Sequence, residues 1–310
     1  MSIKTAAILG AGAVGSYFIR GLQEKYGENL WVIAQGERKR RLETEGIVIN
    51  GERQKLHVKT PEEAHGADVL LVSVKYSALK RSLDAIGTAV GEHTLVFSLL
   101  NGVDSEEIIA DRIGMEHMLY AVMYIASERS GNEIRFNPDT TIGLRYGEAD
   151  GTMDSVHMRQ AAELFAGSKV RAQALPRIRQ EMWYKYAFNV SYNLPQAIVN
   201  CGVGAYAASE HMAFLRRALR DEVTAVAAAE GVDISEMAPI EKVKYPSAPE
   251  SRYSTLQDLD SRRRTEIDMF SGTLMRLAEK HEINVPYSTF VYHTIRAMEE
   301  RNEGKFNFFS

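Results

Sequence analysis

The chain has 310 residues, 45% hydrophobic and 25% charged, the composition of a soluble globular protein and the length of two domains. Its net charge of −4 gives nucleic acid or an anionic membrane no electrostatic reason to bind. A single cysteine, Cys201, excludes an intrachain disulfide and suits a reducing compartment.

Residues 4–9 read as a short buried strand, and Ser16-Tyr17-Phe18-Ile19 as the apolar face of a helix. Between them stands Gly10-Ala11-Gly12-Ala13-Val14-Gly15, a G-x-G-x-x-G motif in the strand-to-helix setting that gives it meaning. Gly10 serves the tight turn, Gly12 the approach of a pyrophosphate to the backbone, and Gly15 the close packing of helix on strand. The N–H groups at the new helix end would hold the phosphates. The glycines also interrupt the apolar run, which therefore belongs to a fold rather than a signal peptide. No stretch reaches the roughly 18 apolar residues of a membrane span, and a cytoplasmic location is expected.

Residues 30–34 form a second buried strand, whose tip should choose between cofactors. A carboxylate there would hold the ribose 2′-hydroxyl of NAD, and an arginine the 2′-phosphate of NADP. The sequence supplies Gln35 and then Gly36-Glu37-Arg38-Lys39-Arg40-Arg41. That run reads either as a solvated helix face or as the place where Arg38 or Lys39 reaches a 2′-phosphate, so NADP is favoured and NAD is the lesser expectation. Residues 47–52 and 56–58 suggest a hairpin turning at Asn50-Gly51, an excursion before the next sheet strand. Residues 67–74 are a continuous apolar strand ending in Lys75, residues 77–90 a helix, and residues 94–100 a fourth strand ending in Asn101-Gly102. Ligands of open parallel sheets lie beyond the carboxyl ends of strands, so Lys75 and Asn101 point at the working end of the cofactor. Strands follow at 117–125 and 141–144 with a turn at Gly131-Asn132 between them, then a helix at 155–165 and an edge strand at 169–171.

From Pro176 onward the pattern is helical. The expected fold is α/β, a doubly wound Rossmann-type dinucleotide-binding domain over 1–175 followed by an all-helical substrate and catalytic domain over 176–310. Lys185, Asn189 and Asn193 recur every four residues on a helix beginning near Arg177. Four residues advance about 40° past a full turn, which keeps all three within about 80°. Trp183, Phe188 and their apolar neighbours make that helix mostly buried, where an unpartnered polar group costs about 1–3 kcal/mol. The polar stripe therefore calls for a ligand or partner. Pro195 and Cys201-Gly202-Val203-Gly204 should break this segment, with Cys201 a buried structural thiol rather than a nucleophile. Residues 214–230 form an Ala-rich helix stopped by Gly231, and residues 245–251 a loop. Ser254-Thr255-Leu256-Gln257-Asp258 opens a helix, and Thr265-Glu266-Ile267-Asp268 has capping-box form. On one straight helix Ser254 and Glu266 would be about 18 Å apart; a break before Thr265 lets them converge. Arg262-Arg263-Arg264 reads as a solvated run. His57, His65 and His281 have no metal-ligand spacing, and no metal is expected. The tail Phe306-Asn307-Phe308-Phe309 should dock on the surface or fray, an oligomer contact being the lesser reading.

These motifs, in order and spacing, resemble the ketopantoate reductase (2-dehydropantoate 2-reductase) family over almost the full chain. The resemblance rests on the glycine motif, Val74-Lys75, Asn101-Gly102, the run from Trp183 to Asn189, Asn193, the run from Ser254 to Asp258, and Thr265-Glu266-Ile267-Asp268. It implies NADPH-dependent reduction of ketopantoate to pantoate, a step toward pantothenate, in the cleft between the domains. Lys185 corresponds to the family's general acid and Glu266 to the carboxylate that orients that lysine and the substrate. Asn101 and Lys75 correspond to residues around the nicotinamide and the reacting carbonyl. Asn189, Asn193 and Ser254 correspond to groups that hold the substrate. The chemistry suits these types: hydride addition builds negative charge on oxygen, which a placed ammonium stabilises and protonates. The family usually carries arginine where Gln35 stands, and some members place a substrate-facing asparagine where Val203 stands. Another branched 2-keto acid is the alternative substrate, and a non-catalytic nicotinamide-binding sensor the alternative from another class. An FAD protein shares the glycine motif, but the second half fits no flavoprotein pattern. The expected partners are a small 2-keto acid and, at most, a second copy of the chain as a homodimer.

Overall fold

A computed structural model describes residues 2–235, 237 and 248–306. The chain forms two compact units, Met1–Arg179 and Gln180–Ser310.

The first unit begins with β1 (Ala6–Leu9), α1 (Ala13–Tyr26), β2 (Leu30–Ile33) and α2 (Gly36–Glu45). Three short strands follow, β3 (Ile47–Ile49), β4 (Glu52–Gln54) and β5 (His57–Lys59). Then come β6 (Val69–Val72), α3 (Tyr76–Ala89), β7 (Leu95–Ser98), α4 (Ser105–Ile113) and β8 (Met118–Tyr124). The unit ends with β9 (Ser127–Ser130), β10 (Glu133–Phe136), β11 (Gly143–Gly147), α5 (Val156–Phe165) and β12 (Ala172–Ala174). The main sheet has the order β12-β11-β8-β7-β6-β1-β2-β5, parallel throughout except where β8 meets β11.

Successive residues of the central strands feed opposite cores, which is why these strands read as unbroken apolar runs. Ala6, Ile8, Val69, Leu71, Leu95 and Phe97 pack with α1 and α5 through Phe18, Leu22, Leu164 and Phe165. Ala7, Leu70, Val72 and Val96 pack with α3 and α4 through Leu79, Ile86 and Ile109. Helices thus cover both faces, the doubly wound arrangement that the sequence predicts.

Three local readings are corrected. The hairpin does turn at Asn50-Gly51, whose φ values of 52° and 84° are those of a tight primed turn. Its second strand, however, is Glu52–Gln54, while His57–Lys59 continues the main sheet beside β2. Gly131-Asn132 turns an unforeseen hairpin, β9–β10, which joins β3 and β4 in a separate four-stranded sheet. Its strands are short and charged, so apolar periodicity does not mark them. The edge strand is Ala172–Ala174 rather than residues 169–171, because Lys169 N and Arg171 N are taken by Gly21 O and the Tyr17 hydroxyl before the ladder to β11 begins.

The second unit has helices and connecting loops and no strand among its described residues. It contains α6 (Ile178–Phe188), a π-helical segment (Asn189–Asn193), α7 (Leu194–Val199), α8 (Ala205–Ala208) and α9 (Glu210–Ala229). After these come α10 (Ser254–Asp260), a second π-helical segment (Asp268–Gly272), α11 (Thr273–Lys280) and α12 (Pro286–Asn302). Tyr186, Val190, Leu194, Val226, Phe270 and Ile295 lie in its core. Pro195 does not break the first run: it sits in the opening turn of α7, where a missing N–H is tolerated. The run ends instead at Asn200, in left-handed conformation. The Ala-rich helix starts at Glu210, capped by Ser209, whose Oγ accepts from Met212 N at 3.3 Å.

The break before Thr265 is present, with Arg262 at φ 51°. Thr265 makes only part of the expected capping box: its Oγ1 accepts from Ile267 N at 3.2 Å, but its N–H goes to Glu299 of α12 rather than to Asp268. Arg263 and Arg264 are not merely solvated, since Arg263 pairs with Asp258 at 2.8 Å and Arg264 with Glu299 at 3.3 Å. Cys201 is half-buried, and desolvation pushes its thiol up. Phe306 is exposed; the rest of the aromatic tail and residues 245–247 of the expected loop lie outside the described residues.

Candidate active site

Four neighbouring strands of the first unit, β7, β6, β1 and β2, end at one edge of the sheet, and the predicted cofactor residues follow those ends. The chain goes from β1 to β2 on one side and crosses to β6 on the other, so the crevice beyond β1 is the topological switch point. The three glycines have separable jobs. Gly10 has φ 109°, and a Cβ there would stand 2.7 Å from the Ser73 carbonyl carbon. A Cβ on Gly15 would come within 1.9 Å of Gly10 O. A Cβ on Gly12 would meet nothing within 4 Å. The outer two glycines are needed for packing within the turn and against Ser73, just past β6, whereas Gly12 opens onto space at the N-terminus of α1, whose first turn has no acidic residue. That combination fits a diphosphate, and Ala11, Ala13 and Val14 complete the turn. Lys75 is the exposed N-cap residue of α3, just past β6, and Asn101 is half-buried just past β7.

At the tip of β2, Gln35 is the exposed N-cap residue of α2 and hydrogen-bonds to Glu62. Lys39 is drawn to Glu63 at 2.6 Å, and Arg40 to Glu37. Arg38 has different company. Desolvation first, and then the guanidiniums of Arg41, Arg129 and Arg81, hold its pKa below the ordinary arginine value. Like charges so gathered favour an anion among them. Arg81 on α3 and Arg129 on β9 come from remote elements and were not singled out by the sequence, since neither has a local motif.

In the second unit, Lys185 is half-buried on the last turn of α6. Desolvation lowers its pKa to about 8, while Glu266 and then Glu181 act in the raising direction. The structure thus brings together the predicted pair, Lys185 and Glu266, and adds Glu181, which is 7% exposed and four residues upstream of Lys185.

Asn189 and Asn193 bound the first π segment, a correction to the single α-helix expected. Bonding to the fifth residue widens the turn, so four residues fall short of a full turn instead of overshooting it. Both side chains are buried, and Asn193 Oδ1 has no hydrogen-bond partner among the described residues. Ser254 is exposed at the first position of α10, a helix that packs on α7 and on this π segment. The second π segment begins two residues after Glu266 and touches the first. Tyr186, next to Lys185, donates its hydroxyl to Phe270 O in that second segment.

Residues 6–147 match the family model for ketopantoate reductase PanE/ApbA, and residues 177–299 match the model of its C-terminal part. The chain is 28% identical to the 2-dehydropantoate 2-reductase of Archaeoglobus fulgidus over 301 residues, covering 96% of this chain and 99% of that one. The crystal structure of a PanE/ApbA family ketopantoate reductase from Ralstonia eutropha is similar at TM-score 0.80 and 26% identity, over 96% of this chain and 99% of the other. D-mandelate dehydrogenase, solved with NADH and anilino(oxo)acetate, shares the fold at TM-score 0.81 and 22% identity, over 96% of this chain and 99% of its own. Both halves of the chain match in order and over nearly its whole length, and the protein belongs to the ketopantoate reductase PanE/ApbA family of NAD(P)-dependent 2-keto acid reductases.

Proposed function

We propose that this protein reduces ketopantoate to pantoate with NADPH, and that Lys185 is the proton donor. The observation that carries this reading is the Lys185–Glu266 pair: an ammonium brought by burial to a pKa of about 8 and opposed by one carboxylate from a different segment. Near neutral pH such a lysine is mostly protonated, yet gives up its proton far more readily than one in water. A bound nicotinamide cofactor supplies the hydride. The turn Gly10-Ala11-Gly12-Ala13-Val14-Gly15 holds its diphosphate, Arg38 its 2′-phosphate beside Gln35, and Lys75 and Asn101 border its reactive end.

Lys185 gives its proton to the substrate oxygen as charge develops there. Glu266 orients the lysine and keeps it charged. Asn189, Asn193 and Ser254 hold the substrate's polar atoms, with Asn193 Oδ1 supplying a buried acceptor that has no partner among the described residues.

Val203 favours a second reading. An apolar side chain where some relatives carry asparagine suits a branched 2-keto acid without a hydroxyl group. The test is oxidation of NADPH and of NADH, followed by the absorbance of the reduced nicotinamide, with ketopantoate and with 2-ketoisovalerate. Faster turnover of ketopantoate with NADPH is expected. Dominance of 2-ketoisovalerate transfers the assignment to the second reading, dominance of NADH overturns the cofactor preference, and no turnover with any 2-keto acid leaves a nicotinamide-binding sensor.

A further inference from the structure

The break between α10 and the second π segment is gripped from outside by one buried carboxylate. Glu299, near the end of α12, is 2% exposed. Its Oε1 accepts from Thr265 N and from Thr265 Oγ1, each at 2.7 Å. Its Oε2 is paired with Arg296 at 2.8 Å and with Arg264 at 3.3 Å, and Arg264 is also paired with Glu303. Three residues further along α12, Asn302 Nδ2 donates to Leu259 O at 2.9 Å. Both edges of residues 261–264 are therefore fastened to the same helix.

The residue after Thr265 is Glu266. Its carbonyl accepts from Met269 N and Phe270 N at 3.0 Å, starting the turn that Tyr186 holds through Phe270 O. Thr265 Oγ1 also accepts from Ile267 N at 3.2 Å. Glu266 thus has a fastened residue on either side, and the tie on the Thr265 side runs through Glu299. Burying an ion is costly unless its partners are well placed. Here the partners are the backbone N–H and hydroxyl of Thr265, the residue before the glutamate whose charge acts on Lys185.

We propose that Glu299 is a positioning residue for the Lys185–Glu266 pair: by holding Thr265 it sets where the Glu266 carboxylate stands against the ammonium. This rests on the reading of Lys185 as the proton donor. The charged groups acting on Lys185 are Glu266 and Glu181. Those facing Glu299 are Arg264 and Arg296, with Glu303 behind Arg264, while Asp268 is engaged by the Tyr292 hydroxyl at 2.9 Å. If Glu266 withdraws, Glu181 alone opposes the desolvation of Lys185, and the lysine titrates lower.

The experiment titrates the isotopically labelled Lys185 amine by NMR, assigned with Lys185→Arg, in the wild type, Glu299→Ala, Glu299→Gln and Thr265→Val. Glu299→Ala should lower the Lys185 titration by about one pH unit and move the alkaline limb of 2-keto acid reduction with it. Glu299→Gln keeps an oxygen acceptor for Thr265 and should restore most of the change; Thr265→Val, which deletes the hydroxyl bond alone, should fall between. A folded Glu299→Ala protein in which Lys185 titrates as in the wild type overturns the proposal, however much its melting temperature falls. Should that variant not fold, an unmoved titration in Thr265→Val overturns it equally. Near-normal reduction by Lys185→Ala would sink the proton-donor reading instead, while the titration still judges Glu299 on its own.

Discussion

Glu106 should make the first unit lose stability as pH rises, and the amount follows from its surroundings. The side chain lies in the first turn of α4 and is 1% exposed. Ser105 Oγ donates to it at 2.9 Å and shares a 2.7 Å bond with Ser98 Oγ at the end of β7. Burial first, and the charge of Glu107 second, push its pKa from the ordinary 4.5 up to about 8, against the lowering effect of the Ser105 hydrogen bond. Between those two values the native state keeps a proton that the unfolded chain has released, so stability falls throughout that window and levels off above about pH 8. At ~1.4 kcal/mol per pH unit the whole loss is about 5 kcal/mol. Glu106→Gln keeps the shape and an acceptor for Ser105 but cannot ionise. Its stability relative to the wild type should therefore improve by about 4 kcal/mol between pH 5 and pH 9, since the unfolded carboxylate is already largely ionised at pH 5. The two tryptophans fall one in each unit, Trp31 on β2 and Trp183 on α6. Urea unfolding followed by fluorescence in a Trp183→Phe background then reports the first unit alone. An equal gap between variant and parent at both pH values would refute the argument.

The proposed acid makes a different prediction, because Lys185 acts in its protonated form. In the wild type kcat/KM should be flat below about pH 8 and fall tenfold per unit above it. Lys185→Ala should lower kcat a hundredfold or more, and a near-normal kcat would remove Lys185 from the role. Gly15→Ala should destabilise the first unit by about 1–3 kcal/mol, since its methyl would collide with a backbone oxygen. Gly12→Ala, at φ −92° with open space ahead, should melt like the wild type yet raise the KM for the nicotinamide cofactor tenfold or more; the reverse pattern would contradict the assignment of the two glycines. Arg38→Ala should raise the KM for NADPH about tenfold, the scale of one charged hydrogen bond, and leave that for NADH nearly unchanged. Equal effects would make the arginine cluster a solvated face.

What the sequence made legible was local. The glycine turn, the buried strands and the residues at their tips follow from neighbours along the chain, and the structure has them where spacing predicts. The β9–β10 hairpin did not show, because Ser127–Ser130 and Glu133–Phe136 bury only one side of a small sheet whose other members lie some eighty residues away. Arg81, Arg129 and Glu299 were missed for a related reason: each acts across a tertiary contact and has no motif of its own. Thr265 was only half legible: its hydroxyl accepts from Ile267 N as a cap does, but its N–H goes to a distant partner. Glu299, 34 residues later in the chain, takes the N–H that Asp268 would have accepted. Local propensity yields where a buried charge must be satisfied.

The π segments connect these corrections to the chemistry. A polar stripe on a buried helix is a liability in a regular α-helix, where every backbone group is already committed and each side-chain atom needs a partner of its own. Widening the turn at Asn189–Asn193 and again at Asp268–Gly272 places the irregularity just after Lys185 and just after Glu266. At the second of these, Phe270 O is available to Tyr186, which ties the lysine's helix to the glutamate's turn. Burial and two carboxylates set the balance at Lys185. Desolvation alone would drive the lysine toward its neutral form, and a fully solvated lysine would keep its ordinary value of 10.5 and be a reluctant donor. The value near 8 reflects burial set against two carboxylates: helix spacing supplies Glu181 four residues upstream, whereas Glu266, about eighty residues away in the chain, is placed by tertiary structure.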